Sequence, residues 1–126
     1  MSVQTVAGKF MELCNQGKHF DFMRAFYAPD MVSVEGDGRE FVGKEPVIKK
    51  SEVFQGANAI DAQDLHGAFF CGDPNSKSGQ FAVYQAYTFT PKKGGPSLKH
   101  DEVGLYTVKN DMITREEFFY DDAFLL

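Results

Sequence analysis

The chain has 126 residues, 43% of them hydrophobic and 14% aromatic, and a formal net charge of −5. That length is one domain, with apolar side chains enough for a core without staples. Mild acidity, with short isolated basic pairs at Lys49-Lys50 and Lys92-Lys93, argues against nucleic acid as a partner, because phosphates need a basic footprint.

No apolar run reaches the roughly 18 residues of a membrane span. The start, MSVQTVAGKFMEL, lacks a basic segment followed by an apolar one, so no signal peptide is expected and the expected location is cytoplasmic. Cys14 and Cys71 have no CxxC spacing and read as reduced thiols packed as small apolar groups.

The first third is helical by period. Val3, Val6, Phe10, Leu13 and Cys14 recur at three and four residues, with Ser2 as N-cap and Gly17 as stop. Phe20, Met23, Phe26 and Tyr27 form the stripe of a second, shorter helix ended by Pro29. Val32 and Val34 then alternate with Ser33 and Glu35 as a short strand. Gly36-Asp37-Gly38 is a turn, and Arg39 to Val42 the returning strand of a hairpin. A third helix begins near Lys44, with Pro46 in its first turn and Val47, Ile48, Ser51 and Phe54 on one face, and stops at Gly56.

Four strand-like segments follow: Ile60 to Cys71, Gln80 to Thr90, Leu98 to Lys109 and Met112 to Tyr120, separated by GDPNSKSG, PKKGGP and Asn110-Asp111. Three helices followed by an antiparallel meander is an α+β order. In FAVYQAYTF both faces are partly apolar, Phe81, Val83, Tyr87 and Phe89 on one and Ala82, Tyr84 and Ala86 on the other. Two covered faces imply helices on one side and a second subunit on the other, a homodimer through the outer sheet face. Neither GxSxG, GxGxxG nor GxxxxGK[ST] occurs, so no nucleotide cofactor is expected. His100 and Glu102 are two groups where a metal wants three or four, so no metal is expected either.

This order, carried by LCNQGKHFD, AFYAPDMVSVEG, GREFVGKEPV and MITREEFFYD, resembles the nuclear transport factor two-like superfamily, with its ketosteroid isomerases and SnoaL-like polyketide cyclases. The resemblance covers almost the full length. It implies a single domain whose curved sheet wraps three helices as a cone around an apolar pocket, often dimeric through its outer face. A ketosteroid isomerase has a Tyr donor on the first helix, an Asp base after a Val-Glu pair and a second, protonated Asp donor before the last turn. By the resemblance those places fall here on Phe10, on Gly36 after Val34-Glu35 and near Gly104. A Phe and two glycines supply neither base nor oxyanion donor, so that apparatus is missing.

Alternation then selects other polar groups. If Val32 and Val34 face the core, Glu35 points away from the pocket, and Asp37 lies in the turn. His100 and Glu102 share the face of Gly104 and Tyr106. With Gly104 at the pocket, they become the candidate acid–base pair. Gln85 and Tyr87, on the face of Val83, read as orienting groups on an apolar wall. On the last strand Arg115, Glu117 and Phe119 share a face, and the resemblance favours that face as inward. Phe10, Phe54, Val83, Gln85, Tyr87, Tyr106, Glu117 and Phe119 are thus the expected ligand wall. His19 reads as exposed. An acid–base enzyme of isomerase or cyclase type acting on a small apolar molecule, a ligand-binding protein and a dimerising module all stay open.

Overall fold

The computed structural model describes residues 1–121. Helix α1 spans Val3–Asn15, and the Ser2 Oγ accepts the Thr5 N–H at 3.1 Å, satisfying one of the donors a helix start leaves open. Its buried stripe is Val3, Val6, Ala7, Phe10 and Cys14. Gly17, at φ +73°, supplies the left-handed residue that ends it.

Helix α2 spans His19–Phe26. Its buried residue is Phe22, not one of the expected stripe within the helix. Tyr27 belongs instead to strand β1, Tyr27–Val34. Pro29 therefore stops no helix. It lies inside β1, in the stretch between Tyr27 and Val32 where pairing with the last strand slips register, and a residue with no N–H is tolerated at such an irregularity. Strand β2, Glu40–Val42, returns beside β1. Helix α3, Lys44–Ala57, buries Val47 and Ile48.

Strands β3 (Asn58–Cys71), β4 (Ser78–Pro91), β5 (Leu98–Lys109) and β6 (Met112–Phe119) form the antiparallel meander. The six strands run β2-β1-β6-β5-β4-β3, and β1 pairs with β6 in parallel. The result is the expected α+β fold, three helices packed against one curved, unclosed sheet. Phe10 fastens helix to sheet. Its ring lies 5.1 Å from Phe22, 5.8 Å from Phe81 and 4.7 Å from Tyr106, within the range where aromatic pairs add to area burial.

Two face assignments are reversed. Met31 and Ser33 are buried in β1, while Val32 and Val34 are half-buried. In β6 it is Ile113 and Glu116 that are buried, while Glu117 is half-buried and Phe119 is 55% exposed. Period-two alternation fixes which residues share a face but not which face is inward. Here the parallel pairing decides it by setting Ser33 directly beside Glu116.

Candidate functional site

The sheet register builds the site row by row. Ser33 of β1 sits opposite Glu116 of β6, which sits opposite Tyr106 of β5, which sits opposite Phe81 of β4. Two residues on, Phe118, Gly104 and Val83 align. Then come Glu102, Gln85 and Leu65, and next His100, Tyr87 and Gln63. With α1, α2 and α3 over this face, the rows line a cavity of about 320 Å³.

One polar cluster stands on β4 and β5. His100 Nε2 lies 2.8 Å from Glu102 Oε1, and the Tyr87 hydroxyl donates to the same oxygen at 3.2 Å. His100 is 4% exposed and Glu102 8%. A carboxylate only accepts, so Nε2 carries the proton in this pair. Burial first, and then the negative charge of Glu102, push the Tyr87 phenol well above its ordinary value, so it stays a donor at neutral pH. Nearby, the Gln85 amide donates to the Tyr106 hydroxyl at 2.8 Å.

A second cluster joins α3 to the hairpin end of the sheet. Lys50 Nζ donates to Ser33 Oγ at 2.8 Å and to Glu35 Oε1 at 2.5 Å. The Tyr120 hydroxyl donates to Glu35 Oε2 at 2.9 Å. The Ser33 hydroxyl in turn donates to Glu116 Oε2 at 2.7 Å, and the Tyr27 hydroxyl donates to Glu116 Oε1. Burial holds the Glu116 carboxyl above the usual range, against the opposing charge of Lys50 and its two hydroxyl donors. Tyr120 also links the clusters, its ring centroid 5.0 Å from that of His100.

The cavity collects some of the expected site residues and not others. Phe10, Phe54, Gln85, Tyr87, Tyr106 and Glu102 line the cavity, and His100 stands behind Glu102. Val83 is buried in the core and does not reach the cavity wall. Glu117 and Phe119 are corrected: they lie on the outer face, where Arg115 pairs with Glu117 at 3.2 Å, and Glu116, Phe118 and Tyr120 line the cavity in their stead. Glu35 is also corrected, for it lines the cavity rather than pointing away from it. His19 is not exposed; it lines the cavity 2.5 Å from Gln55 Nε2, and burial lowers its pKa. Lys50 was missed because one lysine on an amphipathic helix carries no signal of its own. Cys14 lines the cavity too, but burial pushes its thiol up to about 12, which leaves it inert at neutral pH.

By the resemblance the isomerase acids would fall on Gly36 and near Gly104, and both glycines are closely approached by side chains. A Cβ on residue 36 would meet the Tyr120 ring at 2.8 Å. One on residue 104 would meet Tyr106 Oη at 2.8 Å and Gln85 Nε2 at 2.9 Å. Neighbouring polar side chains fill the space those acids would take.

The SnoaL-like domain family matches residues 1–120. The chain belongs to the SnoaL-like family. A solved structure from Mesorhizobium loti, carrying the provisional name SnoaL-like polyketide cyclase, is 35% identical, with a TM-score of 0.85 over 95% of this chain and 100% of that one. A provisional SnoaL-like polyketide cyclase from Jannaschia is 16% identical, with a TM-score of 0.76 over 99% and 90% of the two chains. A Catenulispora acidiphila protein of ketosteroid isomerase-like fold, solved with trimethylamine, is 15% identical, with a TM-score of 0.64 over 78% and 72%. The last two likenesses concern the fold alone. No curated protein matches the chain. Among the described residues of this SnoaL-like domain, no helix is long and apolar enough to cross a membrane.

Proposed function

We propose that this SnoaL-like domain binds a small, largely apolar molecule in its cavity and moves a proton on it, as an isomerase or a cyclase-type lyase does. Glu102 is the base, with His100 and Tyr87 as its positioning residues. What supports the reading is the buried His100–Glu102–Tyr87 chain on the wall of a cavity of about 320 Å³, a volume typical of small-molecule sites. Among the described residues both side-chain hydrogen bonds to Glu102 fall on Oε1. Oε2 is the oxygen left to take a substrate proton. The two donors fix the carboxylate plane, and fixed geometry is where much of the gain of a positioned base arises. The resemblance puts the ketosteroid isomerase groups on Phe10, on Gly36 and near Gly104, which supply neither base nor oxyanion donor, so Glu102 would act outside that apparatus.

The test is deuterium incorporation next to the carbonyl of small aryl ketones in D2O, followed by proton NMR. Wild type should accelerate exchange for some members of the series, and Glu102→Gln should lose about a hundredfold or more. Exchange that survives in Glu102→Gln removes Glu102 as the base. Binding without any exchange leaves a ligand-binding protein without chemistry.

The chain also pairs with a second copy through the outer sheet face. Tyr84, Val103 and Phe119 align in one row across β4, β5 and β6 and are all exposed. Such a contiguous apolar row is what a subunit contact would cover. Light scattering should give twice the chain mass for wild type and one chain mass for Val103→Asp; a monomeric wild type would remove the dimer.

A further inference from the structure

Lys50 is a charged group on the cavity wall that the acid–base assignment leaves unused. It projects from α3, 19% exposed at its side chain, and lines the cavity. Its ammonium sits 4.9 Å from the centroid of Phe41 and 5.4 Å from that of Phe118. This aromatic seat holds a cation in place. An ammonium has three N–H donors, and two of them go to Ser33 and Glu35. Neither neighbouring hydroxyl is free to donate to a ligand, since Ser33 donates to Glu116 and Tyr120 donates to Glu35. Lys50 is therefore the group of this cluster with a donor, and a charge, to offer; the other cation on the wall, Arg39, is paired with Asp37 at 2.6 Å.

Its counter-ion is already shared. Glu35 accepts from Lys50 on one oxygen and from Tyr120 on the other, so its negative charge is spread over two donors. The other carboxyl near the ammonium, Glu116, also lines the cavity, and its two oxygens accept from the Tyr27 and Ser33 hydroxyls. A ligand oxygen bearing negative charge would complete the ammonium's third bond, with the rings of Phe41, Phe118 and Tyr120 on the wall beside it. Charge-assisted hydrogen bonds of this kind are about twice as strong as neutral ones.

We propose that Lys50, seated between Phe41 and Phe118, is a specificity residue that selects an aromatic or otherwise apolar ligand carrying an acidic oxygen, a phenolate or an enolate, over its uncharged analogue. This rests on the cavity being a small-molecule site, but not on Glu102 being a base.

The experiment titrates 4-nitrophenol by absorbance in the presence of excess protein, with nitrobenzene binding by calorimetry as the uncharged control. In wild type, bound 4-nitrophenol should ionise at a lower pH than in buffer, by about one pH unit for a tenfold preference. Lys50→Met should abolish the shift, Lys50→Arg should keep it, and Glu35→Gln, which removes the competing carboxylate, should enlarge it. Nitrobenzene affinity should change much less than the 4-nitrophenol preference in every folded variant, since an uncharged ring binds mainly by apolar contact. An equal shift in Lys50→Met, or ionisation at a higher pH in wild type, overturns the proposal while leaving the cavity intact. Binding of neither compound overturns the cavity reading and this proposal with it. If Lys50→Met fails to give a native circular dichroism spectrum, the Glu35→Gln and Lys50→Arg titrations decide alone: no enlargement in the first, or loss in the second, overturns it.

Discussion

Replacing Glu116 by Gln should shift relative stability toward the variant as pH rises. Glu116 is 2% exposed, and burial raises its pKa above the ordinary value despite the donors Tyr27 and Ser33 and the nearby charge of Lys50. A carboxyl whose folded pKa exceeds its unfolded one makes folding take up a proton between the two values. Its contribution is complete below the unfolded value, 4.5, and is lost as pH rises through the folded one. The slope between them is at most about −1.4 kcal/mol per pH unit for one proton. A Gln keeps the shape and carries no proton to lose, at a cost independent of pH, because its amide nitrogen cannot accept from the hydroxyl, Tyr27 or Ser33, that it would face. The assay is urea unfolding at one-unit steps from pH 4 to pH 8, reading the stability of Glu116→Gln minus that of wild type, so that titrations common to both cancel. The difference should be small or negative at pH 4 and climb with pH before levelling. A flat difference would refute the assignment of burial as the dominant influence. A difference that falls with pH would show that Tyr27, Ser33 and Lys50 hold the ionised form more strongly than burial opposes it.

Further substitutions test other parts of the fold. Phe10→Ala should cost about 3–5 kcal/mol in urea unfolding, because the ring packs on Phe22, Phe81 and Tyr106 at once; a loss under about 1 kcal/mol would contradict that packing. Gly104→Ala sets a Cβ 2.8 Å from Tyr106 Oη and should cost about 1–3 kcal/mol by overpacking, with loss of aryl-ligand affinity, whereas Gly8→Ala, with open space around it, should be neutral or stabilising. Ser2→Ala removes the cap on Thr5 N–H and should cost about 1 kcal/mol, measured by the same denaturation.

Much of the fold was legible because local signals agreed with it. Ser2 and Gly17 bracket α1, Pro46 falls in the first turn of α3, and Asn110-Asp111 turns β5 into β6, with both residues at positive φ. Strand β5 alternates without fault, from buried His100 through Glu102, Gly104 and Tyr106 to Val108. That is why the His100–Glu102 pair could be found from the sequence. The parallel pairing of β1 with β6 was not legible, since Tyr27–Val34 and Met112–Phe119 lie far apart in the chain and no turn residue records their contact. The boundary between α2 and β1 was misplaced for a related reason: Tyr27 extends the helical stripe in sequence, but its hydroxyl is claimed by Glu116 across the sheet.

The reversed faces share one physical origin. Reading strands by hydropathy turns valines in and acids out, which is sound where a buried acid would have no partner. In this chain Glu35, Glu102 and Glu116 each have hydrogen-bond partners, most of them from other elements. Glu116 takes hydroxyls from Tyr27 and Ser33, Glu35 takes Lys50 from α3 and Tyr120 from beyond β6, and Glu102 takes His100 and Tyr87. With such partners the cost of burying a polar group largely disappears. Acids on the inner face need their partners correctly aligned, whereas Leu or Val at those positions would pack with no such demand. The placement of Glu35, Glu102 and Glu116 around one cavity is therefore a demand that packing the fold does not itself make.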